Sequence, residues 1–279
     1  MNYNIKKLGK LIFSLLIICS LSINIFSAGT SARTMKFLDA AGKKHKFTID
    51  EKANMTLFKK SEFKLLNKKM HLRKSGYTYE HGVDVSKYQG NVNWKKVRKA
   101  GYSFAFIRMG FRGYSSGSLN LDSYAIKNLR GAKKAGLKVG IYFFSQAINP
   151  KEARAEARYA IKHLGNIKLN LPIVYDPETI LNSAARTNKL KKKVLTKNTR
   201  AFINYVRKKG YKGMLYCNLK WEAYKLKMSK LKDIPIWYAD YELRPQTPYR
   251  FTYWQYSSTT KVPGVSGNCD VNIRIIKKK

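Results

Sequence analysis

The spacing of apolar and polar positions changes at about residue 81. From His81 onward, short apolar runs alternate with stretches whose apolar residues recur every three or four positions, the rhythm of strand followed by helix. Gly82–Ser86, Phe104–Met109, Leu137–Phe144, Leu171–Asp176 and Gly213–Asn218 read as strands. The first helical pattern carries Trp94, Val97 and Ala100 and stops at Gly101, and the second carries Ala125, Leu129 and Ala132 and stops at Gly136. Lys151–Leu164 then places Ala153, Ala157, Ala160, Ile161 and Leu164 on one face, Val194–Lys209 turns Phe202 and Val206 inward before Gly210, and a short helix covers Trp221–Leu226. Ile234–Tyr241, Phe251–Ser257 and Asn268–Ile273 follow as strands without long helices between them. Five strand–helix units and three bare strands predict an α/β fold, a closed TIM-like (β/α)5β3 barrel without internal sequence repeats.

The first eighty residues obey other rules. Lys6, Lys7 and Lys10 precede the apolar stretch Leu11–Ile18, which weakens toward Phe26 and ends in the small residues Ser27-Ala28-Gly29 and Thr30-Ser31-Ala32. That is the pattern of a signal peptide over 1–29, with cleavage after Gly29 or Ala32; an uncleaved anchor is the alternative, though the apolar run is short. A bulky Ile18 before Cys19 argues against lipoprotein processing. Residues 30–80 form a basic extension in which Met35–Ile49 alternates around Ala-Gly-Lys, suggesting a hairpin. A short helix around Phe63–Leu66 or a linker would complete it, serving as a wall-tethering arm or a passive spacer. The barrel domain would then occupy 81–279.

Composition alters this picture in one respect. The chain carries 56 Lys and Arg against 16 Asp and Glu, a formal net charge of +40 over 279 residues. Removal of three lysines with the signal would leave about +37. A hydrophobic fraction of 44% with 13% aromatics belongs to a globular protein, so the charge does not imply disorder. It calls instead for an anionic partner or surface, unless it reflects lysine-biased composition alone. The lysines are dispersed, without a basic helix or an RNA-binding aromatic signature, which disfavours specific nucleic-acid recognition.

With so few acids, their positions are informative. Asp84, Asp176, Glu178, Asp240 and Asp270 all fall at the ends of strand-like runs, and barrel enzymes gather their chemistry at the carboxyl ends of strands. In Leu171–Glu178 the alternation of a strand turns Asp176 and Glu178 to one face and Tyr175 and Pro177 to the other. Two carboxyl groups on one face are what glycoside hydrolysis requires, although the same residues are also common in strand-end turns. The four histidines His45, His71, His81 and His163 form no metal-ligand pair, no Ser-His-Asp or Cys-His arrangement is legible, and no glycine-rich phosphate loop appears. No cofactor is expected.

A set of motifs now becomes specific. Gly82-Val-Asp84-Val-Ser-Lys-Tyr88-Gln89-Gly90, Trp94, Phe106-Ile-Arg108, Val139-Gly-Ile-Tyr142-Phe-Phe144-Ser, Tyr175-Asp176-Pro-Glu178, Tyr216-Cys-Asn218, Trp237, Trp254-Gln255-Tyr256 and Gly267-Asn-Cys-Asp270-Val-Asn272 together resemble glycoside hydrolase family 25. These are lysozymes (N-acetylmuramidases) of the bacterial and phage type. The likeness runs from about His81 to Ile273 and excludes Arg33–Glu80.

The resemblance implies a flattened barrel that cuts the β-1,4 bond between N-acetylmuramic acid and N-acetylglucosamine in peptidoglycan. Glu178 would be the general acid/base, and Asp176 would orient the substrate's acetamido group, which itself attacks the anomeric carbon in a retaining reaction; a protein nucleophile stays open as the alternative. Asp84 and Asp270 match further acidic positions at the groove floor, where each fits either a catalytic contribution or a structural hydrogen bond. Asp240 fits groove or loop structure. Tyr142, Phe144, Tyr216, Trp237 and Gln255 are candidates to line the groove, and each fits core packing equally well. Arg108 is a candidate for substrate binding or for pairing with rim acids. Cys269 replaces the small apolar residue usual before Asp270, and with Cys217 it would be in an oxidising compartment. A disulfide between Cys217 and Cys269 is therefore open, provided their Cα atoms lie within about 7 Å.

Together these readings predict a secreted, wall-associated monomer whose partners are peptidoglycan and anionic wall polymers, with no specific nucleic acid and membrane contact only through an uncleaved anchor. Two rivals remain: an inactive barrel that grips the wall, and a cationic protein binding nucleic acid or membrane through charge alone. Either would act without the carboxylates.

Overall fold

Two hairpins precede the barrel, and both are built by their turns. A computed structural model describes residues 32–278, so the expected signal segment and Cys19 lie outside the described residues. Strands β1 (Thr34–Leu38) and β2 (Lys44–Thr48) pair antiparallel around a turn in which Gly42 takes φ +74°. Strands β3 (Phe63–Leu66) and β4 (Lys69–Leu72) pair around Asn67-Lys68, both at positive φ, the conformation of a two-residue hairpin turn. Phe63–Leu66 is thus a strand and not the short helix suggested by its apolar content. Asn67 tolerates the left-handed conformation and reverses the chain before a helical turn can form.

The barrel follows as β5 (Tyr77–Val85), α1 (Trp94–Lys99), β6 (Phe104–Arg112), β7 (Leu119–Leu121), α2 (Ala125–Lys134), β8 (Lys138–Ser145), α3 (Pro150–Leu164), β9 (Ile173–Pro177), α4 (Lys192–Lys208), β10 (Gly213–Asn218), α5 (Leu219–Tyr224), β11 (Ile236–Ala239), β12 (Tyr253–Thr260) and β13 (Cys269–Lys277). Eight strands close in the order β5-β6-β8-β9-β10-β11-β12-β13, with β7 added antiparallel at the far end of β6. The expected five helical units and three bare strands are present, their ends shifted by a few residues. The largest shift is in β5, which begins at Tyr77 because Tyr77–His81 pair with Ile273–Lys277 of a long β13. All neighbouring pairs in the closed ring are parallel except those of β13, which runs antiparallel to both β12 and β5.

Strand alternation separates two cores. Phe104, Phe106, Val174, Met214, Tyr216, Trp237 and Tyr253 fill the interior. Gly82 and Gly140 make this filling possible, because a Cβ at either position would lie 2.3 Å from the Phe104 ring or 2.5 Å from the Phe106 ring. The outward residues of the strands pack beneath the helices in a second, larger core. Over β12, where a regular barrel would place another helix, Trp254 and Tyr256 face outward, and the amino-terminal segment covers this side. Phe63 is 3% exposed, with its ring edge-on to Trp254 at 5.3 Å and tilted against Phe251 at 6.1 Å. Met70 and Leu72 of β4 are buried in the same core. The hairpin of β3 and β4 therefore acts as a substitute wall on this side of the barrel rather than as a spacer or free arm.

The disulfide left open by the sequence is not formed: Cys217 and Cys269 are both free and buried. Strands β11 and β12 lie between them, a lateral offset of about 14 Å across the sheet and well outside disulfide reach. Cys217 Sγ lies 3.9 Å from Glu222 Oε1, while Cys269 Sγ lies 3.8 Å from the Asp84 carbonyl.

If the amino-terminal segment is structural, removing its buried ring must destabilise the barrel. Phe63→Ala is expected to cost about 3–5 kcal/mol in urea unfolding, against no more than about 0.5 kcal/mol for Leu65→Ala on the exposed side of the same hairpin. Equal, small effects would return the segment to the role of a linker.

Candidate active site

Four of the five singled-out acids meet at one mouth of the barrel. Asp84 ends β5 on its inward side, Asp176 lies near the end of β9, and Glu178 follows one residue beyond that strand. Asp270 arrives differently from the expectation for a parallel barrel: it stands at the beginning of β13, not at a carboxyl end. Because β13 runs antiparallel, its amino end lies at the same rim, where Asp270 pairs in register with Asp84.

Asp84 is the most firmly held. Its Oδ2 accepts from Gln255 Nε2 at 2.9 Å and from Asn272 Nδ2 at 2.8 Å, and the residue is buried. Burial raises its pKa, and the two amide donors oppose that rise by favouring the ionised form. Asp270 then keeps its proton and donates toward Asp84: burial, followed by the Asp84 charge, carries its pKa from the ordinary 3.8 to about 9. Burial is also the main cause that raises Asp176 well above the carboxylate range, reinforced by the Glu178 charge, and it raises Glu178 as well. Asp176 and Glu178 stand close enough to share a proton and titrate as a pair. Glu178 is the partly open member, whereas Asp176 is buried and its Oδ1 lacks a hydrogen-bond partner among the described residues.

Arg108 is the cation in this field. It lowers the proton affinity of both Asp176 and Glu178. Its Nε donates to Asp122 Oδ2 at 2.8 Å, and its guanidinium carbon lies 5.1 Å from the Tyr88 ring centre and 5.5 Å from that of Phe111. Nη2 is buried without a partner among the described residues, a donor left over at the mouth. Arg108 thus pairs with Asp122, an acid that the sequence reading had not singled out.

The aromatic candidates divide by depth. Tyr142 and Phe144 are half-buried on the inward face of β8, Phe144 in register with Asp176. Tyr216 lies deeper and donates to Gln255 Oε1 at 2.9 Å. Trp237 and Gln255 do not line an open groove. Trp237 is 1% exposed, stacks on Phe106 at 4.7 Å and donates to Asn272 Oδ1 at 2.8 Å. Gln255 is 3% exposed and spends its amide on Asp84, Tyr216 and Tyr241. Both form the floor that holds the acids, because their polar atoms have found partners within the barrel.

Other residues of the site went unread. Gln146, just past β8, donates to the Glu178 carbonyl at 3.0 Å and accepts from Thr187 Oγ1 at 2.8 Å, fixing the backbone of the partly open acid. Tyr88, Leu181 and Leu243 stand exposed on loops after β5, β9 and β11, giving the rim apolar faces. Position just beyond a strand end is the signal that would have found them. Asp240 serves loop structure: its carboxylate accepts from Tyr238 Oη at 2.6 Å and from the Gln246 backbone amide at 2.9 Å. The site can therefore supply one mobile proton beside a partly open carboxyl group, over a floor that holds negative charge.

A family model described as Glycosyl hydrolases family 25 matches residues 83–265. The chain is 27% identical over 192 residues to the autolytic lysozyme of Clostridium acetobutylicum, covering 68% of this chain and 54% of that protein. It is 30% identical over 209 residues to lysozyme M1 of Streptomyces globisporus, covering 68% and 66%. It thus spans about half to two thirds of the length of these curated relatives. The bacterial lysozyme from Streptomyces coelicolor superposes with a TM-score of 0.58 at 28% identity, covering 69% of this chain and 90% of that one. The modular autolysin LytC from Streptococcus pneumoniae, solved in complex with a synthetic peptidoglycan ligand, shares the fold with a TM-score of 0.64 at 20% identity, covering 86% of this chain and 56% of its own.

The protonated state of Asp270 has a measurable sign. Below about pH 4 folded and unfolded chains both hold this proton; between there and about pH 9 the folded chain holds it and the unfolded chain does not, so stability falls as pH rises. Asp270→Asn keeps a donor toward Asp84 and cannot ionise. Its melting temperature should match wild type near pH 4 and exceed it by on the order of 3 °C or more at pH 8, read from melts across that range. A difference independent of pH would mean that Asp270 is ionised in the folded protein.

Proposed function

Because the chain belongs to the glycosyl hydrolases family 25, we propose that it is a secreted peptidoglycan hydrolase, a muramidase cutting the β-1,4 bond between N-acetylmuramic acid and N-acetylglucosamine. The observation that carries the reading is the placement of Asp176, buried, and Glu178, partly open, at one barrel mouth with Asp84 and Asp270. Exposed apolar side chains at the rim suit the faces of pyranose rings.

The chemistry follows from where the shared proton goes. A substrate acetamido N–H donating to the unpartnered Asp176 Oδ1 favours the ionised form of Asp176 and leaves the proton on Glu178. Glu178 then protonates the glycosidic oxygen as its bond to the anomeric carbon breaks, and the acetamido carbonyl oxygen forms the new bond to that carbon. Asp176 stabilises the positive charge that the ring and acetamido group acquire, with Asp84 adding to the negative field from below. In the second half, Glu178 takes a proton from the water that attacks the anomeric carbon, the acetamido bond opens, and configuration is retained. This is the substrate-assisted variant of glycoside hydrolysis, in which no protein carboxylate becomes attached to the sugar.

The positive surface supports a second element of the proposal. With a net charge of +40, the protein is attracted to phosphate-rich wall polymers, which concentrates it at the wall and leaves the chemical step unchanged.

Incubation with purified peptidoglycan, followed by analysis of soluble fragments, tests the reading. Wild type is expected to release new reducing ends on muramic acid, and Glu178→Gln to reduce that rate by about 10³-fold or more. Wall binding without release would replace the hydrolase with a binding barrel. Binding to whole walls should weaken by about tenfold or more between roughly 0.05 M and 0.5 M salt, and a salt-independent profile would remove the electrostatic attraction.

A further inference from the structure

The hairpin of β1 and β2 lies outside the span that matches the family, yet the last residue of β1 is bonded to the loop after β11 at the active-site rim. Leu38 N donates to Gln246 Oε1 at 2.9 Å, and Gln246 Nε2 donates back to Leu38 O at 2.9 Å. One primary amide thus pairs with the end of β1 as another strand would. The same Gln246 is tied to Asp240: its backbone N–H reaches Oδ2 at 2.9 Å and its Nε2 reaches Oδ1 at 3.2 Å. Asp240 is fastened in turn to the barrel, its own N–H donating to the Gln255 carbonyl at 3.1 Å and its carbonyl accepting from Trp254 Nε1 at 2.7 Å.

Tyr241 is the next residue. Its hydroxyl donates to Gln255 Oε1 at 2.9 Å, the oxygen that also receives Tyr216, while Gln255 Nε2 holds Asp84. The residue is nevertheless 44% exposed. A phenol with its hydroxyl bound into the acid network and part of its ring open at the mouth has the amphipathic placement that suits stacking against a sugar. Residues 241–247 have no regular secondary structure, so side-chain bonds must hold them in place. The hairpin is in turn too small to stand alone, with two five-residue strands. Lys220 Nζ at 3.3 Å from Asp39 Oδ2 and Tyr224 Oη donating to Lys46 O at 2.8 Å fasten it to α5.

We propose that the amino-terminal hairpin is a working part of the glycan groove, fixing the loop after β11 through Gln246 so that Tyr241 stands beside the acids as a substrate-contacting residue. Gln246 is then a positioning residue, and β1–β2 contribute to substrate affinity without touching the glycan. The inference rests on the reading of this mouth as a glycan site, and it is tested by binding so that it does not depend on turnover.

In a Glu178→Gln background, binding of a soluble tetrasaccharide of alternating N-acetylmuramic acid and N-acetylglucosamine is measured for Tyr241→Ala, Gln246→Leu and the pair, with urea midpoints alongside. Tyr241→Ala is expected to weaken binding about tenfold. Gln246→Leu should weaken it several-fold, and the double variant should bind no more than about twofold worse than Tyr241→Ala, since the effect of Gln246 passes through that ring. Gln246→Glu, which keeps the length but repels Asp240, should reproduce the loss if Gln246→Leu proves too unstable to measure. Additive losses, unchanged binding in the single variants, or no tetrasaccharide binding by a folded parent would each overturn the proposal. Failure of wild type to release reducing ends while the cycle stays non-additive would instead reject the hydrolase and keep the groove.

Discussion

The structure depends on bringing Asp84, Asp176, Glu178 and Asp270 into one barrel mouth with Arg108 as the nearby cation. Buried carboxylates of like charge cannot all ionise at neutral pH, so the fold must decide which keep protons. Hydrogen bonds bear on that division: burial raises the Asp84 carboxyl, its two amide donors and Asp270 oppose the rise, and Asp270 retains a proton beside it. Arg108 supplies compensation but is itself held by Asp122. The remaining mobile proton is confined to Asp176 and Glu178. Substituting the amides of Gln255 or Asn272 would therefore disturb the site's charges without removing any acid.

That arrangement constrains the barrel. Asp270 meets Asp84 only because β13 enters antiparallel and starts where its neighbours finish. A strand entering in that sense can follow β12 by a short return, and no helix is needed to carry the chain back across the barrel. The outer face of β12 is consequently left without a helix, and Trp254 and Tyr256 need another cover. The amino-terminal segment supplies it with Phe63 and Met70.

The eight strands and five helices were legible because the barrel alternates periods of two and 3.6, and the acids were legible because they interrupt apolar runs in a chain poor in acid. Depth was not. Trp237 and Gln255 share the motifs of open groove residues, but interior packing against Phe106 and bonds to Tyr216 and Asp84 place them beneath the site. Partners distant in sequence were also hidden. Gln246 meets Leu38 across 208 positions, and nothing local in either residue announces the bond. Phe63–Leu66 was misread for a different reason: four residues are too few for a period to show, and the deciding feature was the positive φ of Asn67 and Lys68. The cysteines looked compatible with pairing because composition carries no information about the two strands between them.

For the muramidase proposed above, the opposite signs of the site and the surface bear on how a charged wall would be met. A chain at +40 attracts polyanions, yet the mouth concentrates carboxyl groups around the Arg108 guanidinium. An anionic polymer drawn in by the lysines is repelled from that mouth at short range, where burial weakens screening. An uncharged stretch of glycan backbone suffers no such penalty and can enter.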